Sequence, residues 1–520
     1  MNRFFNTTGL CNPESHYMVN PFRDLYPDVL HLIQSKQYFV LHAPRQTGKT
    51  TFLHALAHRL NREGEYVSVV CSLESAGYPS ISVEAANEVF IGAVYRMASF
   101  FLEEQYLPPN PTAYKADHSL FGQYLTDWCQ SLDKPLVLLL DEVDSLYDDV
   151  LISTLRQLRD GFQARPHNFP QSVALVGLRD IREYRLRARA DNPSIGAGSP
   201  FNVKAESFFL SIFSKAEVRG LLDQHTEDTG QVFSDEVFEK LYEYSGGQPW
   251  LTNALANEIV LKILKNDYTQ TITSGMVELA KERLIEQRQT HLDSLADKIN
   301  EPQVRPIVMS IITGEAPSFD GFDDALRYCR DLGVITGSSP IRFANPIYRE
   351  IITRILNSAL QHGIDTDIAQ TTWYLEADGS LNMDKLLAAF TDFYRRHSES
   401  WLERFQYKEA GHQLLLMAFL QRIINGGGRI EREMAVGNGR TDLAVFWKEQ
   451  VFTIEIKMHH DARSETQGIQ QLSRYMDKLG QQRGFLVLFE KKSSDELPWE
   501  QRIRREIHTV DNKEIVLLGM

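Results

Sequence analysis

Four runs of this chain, "QYFVLHA", "EYVSVVCSL", "PLVLLLDE" and "SVALVGLRD", are almost continuously apolar and each is short enough to be one strand. A strand with one wet face would alternate with polar residues, so these must be covered on both faces. Helical stretches at 82–105 and 118–131 separate them. Strands alternating with helices predict a parallel sheet sandwiched between helices. At 520 residues the chain exceeds one hydrophobic core, and roughly two to four domains are expected.

The pattern turns helical after residue 207, through "SKAEVRGLLDQHTED", "SDEVFEKLYEYSGGQPWLTNALANEIVLKIL" and "GMVELAKERLIEQR". Short helices with a two-strand wing are expected next, in the order of a winged helix, and a polar connection, "SALQHGIDTDIAQTTWYLEADGS", follows. The last stretch begins with helices and continues with strands "GRIEREMAV", "RTDLAVFW" and "QVFTIEIKM". "GNG" and "KEQ" are the turn signals between those strands. A helix "TQGIQQLSRYMDKLG" and a strand "GFLVLFEK" complete a small α/β unit. The boundaries predicted are therefore an α/β core at 1–207, a helical lid at 208–300, a winged helix at 301–357, a linker at 358–381 and the C-terminal unit at 382–520.

Composition narrows the class. An apolar share of 43% and a charged share of 24% suit a globular protein, and no apolar run approaches the roughly 20 residues that cross a bilayer. The N-terminal segment lacks the apolar stretch of a signal peptide, and four cysteines are scattered without a C-x-x-C pair. A cytoplasmic location with reduced thiols and no membrane partner is expected. A net charge of -14 excludes a wholly basic nucleic-acid coat while leaving room for local basic surfaces.

"APRQTGKT", comprising Ala43, Pro44, Arg45, Gln46, Thr47, Gly48, Lys49 and Thr50, matches the phosphate loop G-x-x-x-x-G-K-[ST] except that Ala43 replaces the first glycine. Backbone N–H groups from this loop through Thr51 can wrap phosphates, Lys49 can reach the outer ones, and the Thr50 hydroxyl can bind Mg²⁺. Arg45 could contact nucleotide or simply be exposed. The apolar run "PLVLLL" ends in Asp141, which suits the same Mg²⁺, and Glu142, which suits orientation of an attacking water.

These motifs, with a helical lid and a winged helix after them, resemble AAA-like P-loop ATPases of prokaryotes, over roughly residues 38–356. The resemblance implies ATP and Mg²⁺ as cofactors, a homo-oligomer, Arg179 near the phosphates at the sensor strand, and Gly246, Gly247 and Pro249 approaching the adenine. No lid arginine is identifiable. The dense arginines at 179, 182, 185, 187 and 189 read as a solvated helix face or a phosphate-contacting surface.

In "TDLAVFWKEQVFTIEIK" Asp442 opens one strand, and Glu455 and Lys457 share a side of the next because they are two apart. Antiparallel pairing brings Asp442 to Glu455, so two carboxylates can share a divalent cation with an ammonium beside them. An ordinary edge salt bridge is the alternative. The pattern resembles the PD-(D/E)XK nuclease superfamily, with Thr441 where its proline would stand, over residues 382–520. The resemblance implies a restriction-endonuclease-like fold, Mg²⁺ with Mn²⁺ as a substitute, and Glu409 as an extra acidic position. Gln471 and Tyr475 match the Q-x-x-x-Y motif of the RecB-like branch. His412, on the helix with Glu409, is a lesser candidate, and His459 and His460 read as flanking residues.

The whole is expected to be an α/β multidomain chain: an ATP-hydrolysing module that controls a phosphodiester-cleaving domain acting on nucleic acid, DNA before RNA, with a protein trigger possible. Bacterial proteins of this arrangement suggest a role in defence against phage or plasmids. The alternative is a regulatory ATPase whose nuclease-like domain binds nucleic acid or a protein without cleaving.

Overall fold

The computed structural model describes residues 3–179, 204–287, 290–312, 317–364, 374–402, 412, 415–417, 419–420, 428–436, 439–459, 462–490 and 503–520. The chain gathers into two compact units. One comprises Met1–Ser294, Asp320–Thr336 and Phe343–Ile347, and the other Leu295–Phe319, Gly337–Arg342 and Tyr348–Met520.

The first unit begins with two short parallel strands, β1 (Phe4–Phe5) and β2 (His16–Tyr17). Its main sheet is built from β3 (Tyr38–His42), β4 (Val67–Ser72), β5 (Leu136–Asp141), β6 (Ser172–Gly177) and β7 (Lys204–Phe209). The strands lie in the order β4-β5-β6-β3-β7 and every pairing is parallel. The four apolar runs of the sequence are thus the four strands β3 to β6. β7 was not expected as a strand. It is an edge strand carrying Lys204, Glu206 and Ser207, so it shows no continuous apolar run.

Two hydrophobic layers cover this sheet. Phe90, Phe121, Tyr124 and Trp128 pack on one face with Leu138 and Leu140, whereas Phe52, Leu53, Leu56 and Leu60 pack on the other with Phe39, Leu41 and Leu139. Alternate residues of β5 therefore feed opposite layers, which is why the strand must be apolar throughout. The helices Val83–Phe101 and Leu120–Ser131 lie within the expected 82–105 and 118–131.

Beyond β7 the chain is helical, with Lys215–Thr229, Asp235–Ser245, Pro249–Asn257 and Ser274–Glu286. The first of these starts in a capping box: Ser214 and Glu217 bond reciprocally to each other's backbone N–H. Between the second and third, Gly247 takes φ +76° and packs so tightly that a Cβ there would sit 2.1 Å from the Phe213 carbonyl oxygen. Arg305–Ile312 and Asp324–Asp331 follow, then two short strands, β8 (Ile335–Thr336) and β9 (Arg342–Phe343), and the helix Pro346–Ile364. No described helix is long and apolar enough to cross a membrane.

The second unit is built on a sheet of β10 (Gly428–Val436), β11 (Gly439–Trp447), β12 (Gln450–His459), β13 (Arg483–Glu490), β14 (Arg504–Val510) and β15 (Lys513–Gly519). Their order is β10-β11-β12-β13-β15-β14; β12, β13 and β15 run parallel and the other pairs antiparallel. Trp447 pairs with Gln450 across a two-residue turn in which Lys448 has φ +52°, matching the "KEQ" signal. The hairpin β14–β15 was not foreseen. Its turn residues Asp511 and Asn512 both take positive φ, a type I′ signature that "VDNK" does carry. The helix Ala462–Leu479 lays Leu472 and Met476 on Leu486, Leu488, Ile515 and Leu517.

Gly247→Ala combines a left-handed backbone with a clash against main chain. We expect it to lower the stability of the first unit by about 2–4 kcal/mol in denaturant titration, whereas Gly230→Ala, with open space around its Cβ, should cost less.

Candidate functional site

The loop after β3 is shaped by backbone before side chains act. Gln46 and Gly48 have φ of +56° and +98°, and Gly48 N-caps the helix Lys49–Glu63. Ala43, the departure from the motif, is fully buried, and its N–H donates to the Gly177 carbonyl at 3.3 Å. Thr47 Oγ1 donates to the Pro44 carbonyl at 2.8 Å and closes the turn. Lys49 folds back over the loop, its Nζ donating to the Ala43 and Pro44 carbonyls at 2.9 and 3.0 Å. Burial lowers its pKa, opposed by the carboxylates of Asp144, Glu142 and Asp141.

Thr50 Oγ1 donates to Asp141 Oδ2 at 2.7 Å, joining the two residues expected to share Mg²⁺. Both offer only oxygen, the donor type that ion takes. Glu142 follows in a left-handed conformation, φ +57°, and its pKa is raised by burial and by the neighbouring Asp144 and Asp141. A half-desolvated carboxylate with a raised pKa beside a phosphate loop suits a group that orients or accepts a proton from water.

A cavity of about 440 Å³ beside them is lined by Arg45, Gln46, Thr47, Gly48, Lys49, Thr50, Thr51 and Glu142, with Pro249 from the helical segment, whereas Ala43, Pro44 and Asp141 do not line it. Asp144, which bonds the Leu178 N–H at 3.1 Å, also lines it and was missed; the third carboxylate of "DEVD" was its signal. Gln248 was missed too. It caps the helix Pro249–Asn257 and its Nε2 reaches the Gln46 carbonyl at 3.5 Å. Arg179 is not brought to the cavity wall: its guanidinium stacks on Tyr328 at 3.7 Å. Arg182, Arg185, Arg187 and Arg189 lie outside the described residues.

In the second unit the register of β11 and β12 runs Trp447↔Gln450 to Leu443↔Ile454, which sets Asp442 beside Glu455. Asp442 Oδ2 accepts the Ile456 N–H at 2.8 Å, fixing its carboxylate over β12. Glu455 is fully buried, and Lys457 Nζ lies 2.8 Å from its Oε1. Burial and the Asp442 charge push the Glu455 pKa up to about 7, against the pull of Lys457. Lys457 is shifted upward by Asp442 and Glu455, which outweigh its own burial.

Glu455 and Lys457 sit opposite Leu486 and Leu488 in the parallel register, hence on the face covered by the helix Ala462–Leu479. From that helix Gln471 Nε2 donates to Tyr475 Oη at 3.1 Å, and Tyr475 is near enough to act on the Lys457 charge. Asp442, Glu455, Lys457, Gln471 and Tyr475 are thus assembled at one place. His412 is not with them. It stacks on Phe489, 5.3 Å between ring centroids, and bonds Tyr394 on the opposite sheet face, a packing role. Glu409, Thr441's side chain, His460 and the side chain of His459 lie outside the described residues.

Residues 32–184 match a protein family described as AAA domain. No curated protein matches the chain. Among solved structures it is similar to a Walker-type ATPase of Pyrococcus abyssi, at 14% identity and TM-score 0.47, over 67% of this chain and 99% of that one. The RuvB Holliday junction branch migration motor of Thermotoga maritima aligns at 16% identity and TM-score 0.34, over 64% and 93%. Cdc6p from Pyrobaculum aerophilum aligns at 14% and 0.34, over 64% and 92%.

Lys49→Ala should weaken ATP binding at least tenfold in equilibrium titration, while Glu142→Gln should keep ATP affinity within about twofold and slow phosphate release by two orders of magnitude or more.

The raised Glu455 pKa gives a pH prediction for the metal-free protein. As pH rises the unfolded chain loses this proton near 4.5 and the folded one only near 7, so the fold loses stability across that window. Glu455→Gln should remove that loss, gaining on the order of 3 kcal/mol over wild type at pH 8 relative to pH 4 in denaturant melts with chelator. A wild-type-minus-variant difference that is flat with pH would show that Glu455 titrates normally.

Proposed function

We propose that the chain binds and hydrolyses ATP at the phosphate loop and cleaves phosphodiester bonds of nucleic acid, DNA in the first instance, in its second unit. The observation that carries the nuclease reading is Glu455: a fully buried carboxylate set directly beside a second carboxylate, Asp442, with the Lys457 ammonium 2.8 Å away. Left alone, such a group costs several kcal/mol of desolvation. A divalent cation offsets that cost, and Asp442 and Glu455 present only hard oxygen donors, as Mg²⁺ or Mn²⁺ requires.

Asp442 and Glu455 would hold the ion, which when bound supplies Lewis-acid stabilisation of the phosphate and an activated water. Lys457 keeps its proton, because both carboxylates favour the cation, and its half-exposed ammonium can neutralise charge developing on the phosphorane oxygens. Tyr475, held by Gln471 and close enough to act on the Lys457 charge, would help orient that ammonium. In the first unit Lys49 would leave its carbonyl partners for the nucleotide phosphates, Thr50 and Asp141 would take the nucleotide's Mg²⁺, and Glu142 would orient the attacking water. Pro249, which lines the cavity from the helical segment, would meet the nucleotide's base end. We propose further that the helices after β7 serve as a lid, that residues 301–357 are a winged helix, and that the protein assembles as a homo-oligomer, with nucleotide state controlling the cutter in a defence role.

Plasmid, linear DNA and RNA incubated with purified protein and Mg²⁺ or Mn²⁺, with and without ATP, test this reading. Asp442→Ala and Glu455→Ala should each abolish cleavage and leave ATP affinity unchanged. Lys457→Ala should keep metal binding and lose about 3 kcal/mol of transition-state stabilisation, roughly a hundredfold in rate. Cleavage that persists in the Asp442→Ala, Glu455→Ala double variant would reduce the second unit to a binding module under a regulatory ATPase.

A further inference from the structure

The nucleotide cavity has a third wall that the sequence did not announce. Besides the phosphate loop and Pro249, it is lined by residues 6–11 and 17–21, and by Arg23. This N-terminal segment is fastened to the helices after β7. Arg3 pairs with Asp228 at 2.9 Å, Gln224 bonds both the N–H and the carbonyl of Met18, and Trp250 Nε1 donates to the Thr7 carbonyl at 2.9 Å. Phe5 and Tyr17 pack on the buried His225 ring. The segment is thus a fixed wall of the cavity.

Arg23, at its end, is the unexplained group. It takes φ +47°, an uncommon conformation for a non-glycine residue, and its side chain is only 9% exposed. One guanidinium nitrogen, Nη2, donates to the Thr47 carbonyl at 3.1 Å, the carbonyl just before Gly48 and Lys49. Nε and Nη1 are buried with no hydrogen-bond acceptor among the described residues. Phe213 lies under the guanidinium at 4.9 Å. Glu217 comes no nearer than 3.9 Å, and its carboxylate is already committed to the capping box with Ser214. A buried guanidinium stays charged and needs acceptors for its fork of donors, and fold-internal contacts leave two of these unmet.

We propose that Arg23 is a nucleotide-binding residue, donating its Nε and Nη1 hydrogens to a phosphate of the nucleotide held by the Gly48–Lys49 loop. The planar fork fits phosphate oxygens, and its anchor on the Thr47 carbonyl aims it at the loop that cradles them. The strap that carries Arg23 is bonded to the helices beyond β7, so an occupied phosphate site also tightens the link between those helices and the loop. This rests on the nucleotide-site reading above.

The test is equilibrium binding of ATP and of tripolyphosphate, which has no base or sugar, to the full chain. Arg23→Gln should weaken both at least tenfold, and Arg23→Lys should recover part of the loss. Glu217→Gln, which removes the distant counter-charge and leaves the guanidinium, should bind both ligands within about twofold of wild type. Nucleotide-free melting of each variant is measured alongside, and if Arg23→Gln does not fold, Arg23→Lys and Glu217→Gln still decide. ATP affinity unchanged in Arg23→Gln, or in Arg23→Lys where only that variant folds, overturns the proposal. Loss for ATP without loss for tripolyphosphate overturns the phosphate assignment, and equal losses in Arg23→Gln and Glu217→Gln make the role structural. Wild-type protein that binds neither ligand overturns the nucleotide site itself, a result distinct from selective failure at Arg23.

Discussion

The 2.7 Å hydrogen bond from Thr50 to Asp141 fixes the geometry on which the first unit's chemistry depends. Thr50 stands at the start of the helix that follows β3, and Asp141 ends β5, yet these strands are not neighbours: β6 runs between them. The bond is possible because all three strands are parallel and finish at the same edge, so their carboxyl ends open one crevice. Everything else is arranged around that crevice. The apolar alternation of β5 holds Asp141 at its level, the left-handed turns at Gln46 and Gly48 bring the loop over it, and Glu142 turns away from the strand into the cavity.

The second unit meets a different constraint, the cost of burying Glu455. Antiparallel pairing of β11 with β12 puts Asp442 and Glu455 together, and the fold buries Glu455 fully while leaving Asp442 half-buried. The neighbouring Lys457 brings one compensating charge to two carboxylates, and the Glu455 pKa still rises to about 7. Replacing such a group by an apolar one is commonly neutral or stabilising, so its presence calls for a role that stability does not supply.

The legible features were those set by local period and spacing. Four apolar runs gave β3 to β6, and the two-residue turn at Lys448 set the register that joins Asp442 to Glu455. Gln471 and Tyr475, four apart on one helix, were equally readable and do bond each other. Features set by tertiary context were not. β7 is an edge strand whose polar residues hide it, and Arg179 is drawn to Tyr328 by a helix more than a hundred residues later. His412 occupies the sheet face opposite the one where a site residue must stand. Arg23 is one arginine in "NPFRDL", and only the packing of the N-terminal strap on distant helices gives it meaning.

Buried ionic groups elsewhere in the chain show what a purely structural charge looks like. Lys513 is 5% exposed, and its Nζ is met by the carbonyl and hydroxyl of Ser473 and by Asp477. Glu258, also buried, is paired with Arg283. Arg23 keeps two buried donors unmet among the described residues, Glu455 shares the Lys457 ammonium with a second carboxylate, and each sits against residues of a candidate ligand site. A ligand that satisfies such a group binds the folded chain and not the unfolded one, so its binding free energy adds to stability. In each unit a buried charge thus stands where a ligand would complete its partners: a phosphate at Arg23 and, on the proposed reading, a divalent cation at Glu455.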